Sequence, residues 1–131
     1  MLKTNAFSYI NMMDRALDAS FLRETVIAHN IANVDTPTYK RKDVQFQNIL
    51  DTKLREHFAR TKSMDKAVAS LKPDEIRPLK YIDYPNFSYR IDKNNVDIDT
   101  ENVELASEQL RYQTMSTSVN NDFGRLKTVI K

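Results

Sequence analysis

The chain has 131 residues, 20 Lys and Arg against 18 Asp and Glu, and a net charge of +2. That length suits one ordinary domain, and so small a net charge gives no reason for self-repulsion or for wholesale attraction to nucleic acid. There is no cysteine, one glycine and two histidines, which excludes a disulfide framework, a thiolate metal site, a P-loop and a dinucleotide fingerprint.

The first predicted element is a helix over residues 5–34. Ile10, Met13, Leu17, Phe21, Ala28 and Ile31 step by three, four and seven and so share one face, which Glu24 interrupts. The N-terminus Met1-Leu2-Lys3-Thr4-Asn5 lacks the apolar run of a cleavable signal peptide. Pro37 stops the helix and pushes Thr36 out of the α region. Asn30, Asn33, Asp35 and Thr36 supply short polar side chains for the free backbone groups at that end. On physical grounds alone this is a helix C-terminus followed by a turn.

A polar middle segment, 35–99, follows. A helix is predicted from Val44 to Phe58, with Phe46, Ile49, Leu50, Leu54 and Phe58 on one side, and a shorter one from Met64 to Leu71. Pro73, Pro78 and Pro85 break the chain around them. Phe87, Tyr89 and Ile91 alternate with polar residues, as do Val96 and Ile98, with Asp92-Lys93-Asn94-Asn95 between them. That pattern predicts a small β-hairpin over 87–98, its turn built on asparagine because glycine is scarce. Lys40–Lys80 carries a net +5 and Asp92–Glu108 a net −5. These are solvated faces or complementary patches between subunits.

The last predicted helix covers 100–130. Asp99 and Thr100 are its N-cap candidates, and Glu101 and Glu104 suit the positive end of its dipole. Leu105, Gln109, Tyr112, Ser116, Val119, Phe123, Leu126 and Ile130 keep an unbroken four-three heptad spacing, with Val103, Ala106 and Leu110 as a second apolar row. Heptad spacing is what a left-handed coiled coil needs. The expected fold is therefore mainly α. It is one elongated domain over 1–131, a coiled-coil-like pair of long terminal amphipathic helices joined by a polar middle. Apolar rows left over on such helices call for assembly.

The run Asn30-Ile31-Ala32-Asn33-Val34-Asp35-Thr36-Pro37-Thr38-Tyr39-Lys40-Arg41 resembles the N-terminal signature of bacterial flagellar rod and hook proteins. A second match lies at Asn94-Asn95-Val96-Asp97-Ile98-Asp99, followed by Glu104-Leu105-Ala106 and Gln109-Leu110-Arg111-Tyr112-Gln113. Their order, their distance from the termini and the short chain look like the proximal-rod family, flagellar basal-body rod protein B. The resemblance covers residues 5–46 and 91–130. Where that family usually has glycine, this chain has Thr38, and where it often has glycine, Lys93. Thr38 is β-branched, which argues against a left-handed conformation there and predicts another form of turn.

The resemblance implies a non-enzymatic structural subunit of the flagellar rod, without cofactor or metal. It implies partners among copies of itself, other rod proteins, the rod-base adaptor, the inner-membrane ring and the export gate. It also implies export without a cleaved signal peptide to the basal body, in the periplasmic space, although composition alone reads as cytoplasmic. The residues it marks for assembly are Asn30, Asn33, Asp35, Thr36, Pro37, Tyr39, Lys40, Arg41, Asn95, Val96, Asp97, Leu105, Leu110 and Tyr112, to which the heptad seam adds Phe123, Leu126 and Ile130. No apolar run is long enough to span a membrane, and the Lys40-Arg41-Lys42 triplet is too short to argue for nucleic acid. The competing reading is a cytoplasmic helical adaptor or type III export chaperone.

Overall fold

The apolar periodicity at the two ends of the chain produces two long helices, packed side by side. The computed structural model describes residues 5–83 and 90–130. In chain order the elements are α1 (Asn5–Ala32), β1 (Lys42–Gln45), α2 (Gln47–Thr61), α3 (Met64–Ser70), a 3-10 turn (Pro73–Glu75), β2 (Leu79–Ile82) and α4 (Ile98–Ile130). At 1.5 Å per residue α1 is about 42 Å long and α4 about 50 Å. They run antiparallel. Asn30 meets Glu101, Arg23 meets Glu104, and Ser20 meets Glu108.

α1 is covered on more than one side, by α4, α3 and β1. Its buried positions therefore include Ile10, Ala19, Ser20, Val26, Ile27 and Asn30. The predicted stripe was partly misplaced: Phe21 is 62% exposed and Ala28 also faces solvent. Small residues at 19 and 20 let α4 and β1 approach closely, and the larger Phe21 is turned away. The helix ends at Ala32, two residues before the expected stop, where the Asn33 and Val34 amides bond back to His29, Asn30 and Ile31 carbonyls.

The face that α4 turns toward α1 shares one row with the predicted seam. Leu105, Val119 and Leu126 are half-buried, and Tyr112 lies at the rim. The second inward row is not the predicted one, in which Gln109, Phe123 and Ile130 are exposed and Ser116 alone is half-buried. It is Glu101, Glu108, Met115 and Asp122, of which the two glutamates are fully buried. Both choices keep heptad spacing, so periodicity alone could not separate them. Acidic partners for Arg23 on α1 and for Arg41, just before β1, decided between them.

The expected hairpin also gives way. Phe87 and Tyr89 lie outside the described residues. Ile91 is in an exposed turn, Val96 is buried in a loop, and Ile98 opens α4. The two-stranded antiparallel sheet among the described residues is instead β1 with β2, in the register Lys42↔Ile82, Asp43↔Tyr81, Val44↔Lys80 and Gln45↔Leu79. Val44 and Gln45 are thus strand, not the start of a helix, and α2 begins at Gln47. α2 closes on Lys62, whose φ of 55° is left-handed and whose amide donates to the Phe58 carbonyl at 2.7 Å. α3 folds back along it, with Ala67 and Ile76 among the most completely buried residues of the chain.

Candidate functional site

The two signature segments, more than fifty residues apart in sequence, close onto each other where α1 ends and α4 begins. Asn30, in the last turns of α1, is fully buried. Its Nδ2 donates to the Lys42 carbonyl at 2.7 Å and to Glu101 Oε2 at 3.0 Å. Its Oδ1 accepts from the Lys42 amide at 3.0 Å and the Tyr39 hydroxyl at 3.2 Å. Two donors and two acceptor positions are all that an asparagine amide has, and all four are used. The side chain behaves toward β1 as a neighbouring strand would, taking both backbone groups of Lys42.

Arg41 is the other centre. Its Nε donates to Glu101 Oε1, and its Nη1 lies 3.2 Å from both Asp43 Oδ2 and Asp83 Oδ2. Its amide donates to Asn95 Oδ1 at 2.7 Å, and Asn95 Nδ2 donates to the Asp83 carbonyl at 3.0 Å. Burial works against the Arg41 charge. The bond and charge of Glu101, joined by those of Asp43, outweigh it and raise the pKa above the ordinary arginine value. Tyr39 is pushed up by burial and by the charge of Glu101, so it stays a neutral donor.

Asn94 finishes the α1 terminus. Its Nδ2 reaches the carbonyls of Asn33, Val34 and Thr36, each at 2.9 Å, and its Oδ1 accepts from the Val96 amide at 2.8 Å. A helix end leaves carbonyls without intrahelical partners, and here a side chain from the second signature supplies the donor. Arg90 adds a bond to the Val34 carbonyl at 2.9 Å. Asn33 bonds the His29 carbonyl and receives Thr36, which shapes the turn. Asp35, Thr36 and Pro37 themselves are exposed. Lys40 Nζ donates to the Lys93 carbonyl at 2.6 Å.

The turn adopts the conformation that its sequence argued against. Thr38 has φ 61° and Lys93 φ 62°. Both are left-handed, a region costly for a β-branched side chain. The Thr38 amide donates to the Asp92 carbonyl at 2.9 Å and the Lys93 amide to the Arg90 carbonyl at 3.1 Å. The surrounding bonds hold both residues there.

α4 is capped by Asp97, two residues before the expected start. Its Oδ1 accepts from the Asp99 amide at 3.0 Å and the Thr100 amide at 3.4 Å, and its Oδ2 from the Thr100 hydroxyl at 3.0 Å. The Thr100 hydroxyl, then the Thr100 and Asp99 amides, hold the Asp97 carboxyl below its usual value.

A second polar cluster continues along the α1–α4 contact. Ser20 donates to Glu108 Oε1 at 2.6 Å, and Arg111 approaches the other oxygen at 3.4 Å. Arg23 lies between Asp43, Glu104 and Glu108 at 3.2, 3.5 and 3.9 Å. Its Nε is near Asp43 Oδ1 but is not aligned to donate, so that contact is one of charge. The acidic residues of 92–108 are thus largely engaged within the chain.

The structure therefore gathers Asn30, Asn33, Tyr39, Lys40, Arg41, Asn95, Val96 and Asp97 at one end of the helix pair. It leaves Leu110, Phe123 and Ile130 exposed along α4, with Leu105, Tyr112 and Leu126 toward α1. Sequence reasoning did not assign Glu101 as the Arg41 partner, nor Asp43 or Asp83. Glu101 could be read from the sequence only as an acidic residue in the first turn of a helix; its partner Arg41 lies sixty residues away and is brought to it by the fold. No group of residues suited to a metal is found among the described residues, and no helix there is long and apolar enough to cross a membrane.

No family model matches the chain. It is 35% identical to the flagellar basal body rod protein FlgB of Bacillus subtilis (strain 168), the match covering 92% of each protein. It is 34% identical to that of Borrelia hermsii, over 93% of this chain and 95% of the relative. With the Escherichia coli (strain K12) protein the identity is 27%, over 93% and 92%. Near-complete coverage at such identity, on top of two signature segments that fold into one interlocked site, leads to one conclusion: the chain belongs to the flagellar basal body rod protein FlgB family.

Proposed function

We propose that the chain is a structural subunit of the proximal rod, working by packing α1 and α4 against those of neighbouring subunits in a tubular, torque-transmitting shaft needed for motility. The observation that carries the mechanism is the division of labour along the helix pair. One end is closed by directional polar bonds. The outward faces keep Phe7, Phe21, Val103, Leu110, Phe123 and Ile130 exposed, apolar surface suited to coiled-coil-like packing between copies.

In this reading the polar knot fixes how α1 and α4 cross, and neighbours meet a preset surface. Partners are other copies, other rod proteins, the rod-base adaptor, the inner-membrane ring and the export gate. The chain reaches the periplasmic rod through the flagellar export channel, uncleaved, and needs no catalytic residue or cofactor. The adaptor or chaperone reading is disfavoured, because the curated relatives are rod proteins by name. A tagged chain expressed in its own bacterium should co-purify with basal bodies and add density at the cell-proximal end of the rod in tomograms. Retention in the cytoplasm, with basal bodies free of the chain, would reverse the choice.

A further inference from the structure

Hydrogen-bond alternation separates the two edges of the β1–β2 sheet. The Asp83 amide donates to the Arg41 carbonyl at 2.8 Å, and the strand register continues to set these two residues opposite each other. Hydrogen-bonded positions alternate in an antiparallel pair. Asp43 with Tyr81 and Gln45 with Leu79 therefore also turn their backbone groups toward each other. Lys42 and Val44 on β1, and Lys80 and Ile82 on β2, turn theirs outward.

The outer edge of β1 is closed. The Asn30 side chain bonds both the amide and the carbonyl of Lys42, and the Asp43 carboxylate accepts from the Val44 amide at 2.7 Å. The outer edge of β2 is open. Among the described residues no other strand lies beside it, and no hydrogen bond reaches the Lys80 or Ile82 backbone. All four of its side chains are exposed, Leu79 at 58% and Tyr81 at 45%. Charge normally blunts such an edge, and within this strand Lys80 alone supplies it.

We infer that β2 pairs with β2 of a second copy of this chain, across a two-fold axis at Tyr81, in a four-stranded antiparallel sheet. Outward amides and carbonyls two residues apart are matched by another extended backbone. With β1 closed, β2 is the open strand edge that a second copy offers among the described residues. The edge also complements itself. With Lys80 opposite Ile82 of the second copy, the outward amides and carbonyls of both residues are paired and the two lysines stay apart. Setting Lys80 opposite Lys80 would oppose like charges. The contact is isologous and closes on itself. Four residues make it small, so association is weak and concentration-dependent. It belongs to the free chain, where it shields an edge open to strand addition, and it stands apart from the rod reading.

The chain has no cysteine, so an introduced thiol has only its symmetry mate to find. In the paired register Tyr81 faces its mate at a non-hydrogen-bonded position, with Cα atoms about 4.5 Å apart and within disulfide reach. Leu79 lies roughly 14 Å from its own mate. Under mild oxidation the full-length Tyr81→Cys chain should shift to a covalent dimer of twice the chain mass. Leu79→Cys, at the more exposed position, should stay monomeric. Adding Lys80→Pro to Tyr81→Cys removes an outward amide that β1 does not use, and should abolish the crosslink. Protection of the Asp83 amide reports that the β1–β2 pair is intact in that variant. In the unsubstituted chain, hydrogen exchange at the Lys80 and Ile82 amides should slow as concentration rises, while the Tyr81 amide is protected throughout. Equal crosslinking of the two cysteine variants would overturn the proposal, as would a crosslink that survives Lys80→Pro. So would edge amides that exchange alike at every concentration, or that slow only when a different protein is added.

Discussion

The two ends of the α1–α4 pair can be compared directly. Where α1 stops and α4 starts, Asn30, Asn94, Arg41, Glu101 and Asp97 meet in a network of directional bonds, several of them fully buried. Where α1 starts and α4 ends, Phe7, Tyr9, Phe123, Val129 and Ile130 are exposed, and Ile130 is 82% so. A cavity of about 430 Å³ opens there between Tyr9, Ile10, Leu126 and Val129, and the nearest ion pair is Arg125 with Asp122 at 3.7 Å. Polar bonds specify a geometry inside one chain because they fail when misaligned. Apolar surface is tolerant, and gains only when something covers it. The polar end therefore sets the shape, and the apolar end is left for assembly.

The sharpest way to break this contrast is at the polar end. Glu101→Ala removes the main partner of the Arg41 guanidinium, which keeps Asp43 and Asp83, and should cost about 1.5–3 kcal/mol in a urea unfolding experiment. The double variant Arg41→Met, Glu101→Leu removes both charges and should recover only part of that loss, because Asp43 and Asp83 lose Arg41 as well. If the double variant were as unstable as the single one, the charges would matter less than the shape of their site. Asn94→Ala should come next, at about 1–3 kcal/mol, because the α1 carbonyls lose a buried donor. Its signature in hydrogen exchange should be fraying confined to the last turn of α1 and the turn at 35–39.

At the apolar end the expected pattern inverts. Phe123→Asp alters an exposed position, so stability should stay within about 0.5 kcal/mol of the parent, while incorporation into rods and swimming are lost. Leu126→Asp, half-buried against α1, should lower both stability and incorporation. Lys127→Asp should be mild in each assay. A Phe123→Asp variant that assembled normally would show that this face of α4 is not covered by a neighbour.

The long helices were legible because amphipathic periodicity over about thirty residues is a strong signal. Which of two heptad rows faces inward was not, since Glu101 and Glu108 are buried only because Arg41, Arg23 and Ser20 await them from elsewhere in the chain. β1 was missed for a related reason. Lys-Asp-Val-Gln has no strand periodicity, and it is held extended by the Asn30 amide and by β2. The signature residues were readable as a set from family resemblance, but their mutual contacts depend on a fold that brings residue 30 to residue 101.

Two smaller effects would sharpen the picture of the polar end. The Asp97 carboxyl is held below its unfolded value by the Thr100 and Asp99 donors. Its contribution is therefore present above the ordinary carboxylate range and lost as pH falls through the depressed value. Amides at 98–101 should lose protection in acid before the middle of α4 does, and Asp97→Ala should show that loss already at neutral pH.

The smallest expected change is a gain. Thr38 sits at φ 61°, where a β-branched residue is strained and glycine is not. Its side chain is exposed, while its amide bond to the Asp92 carbonyl would survive substitution. Replacing it by glycine relieves the strain but gives the unfolded chain more freedom, and the two effects partly cancel. Thr38→Gly should therefore stabilise the chain by roughly 0.5–1 kcal/mol. Thr38→Ala, which loses the branching but keeps a Cβ at positive φ, should gain less. A loss of stability with glycine would mean that the turn uses the Thr38 side chain, and that the polar end is packed more tightly than its hydrogen bonds alone require.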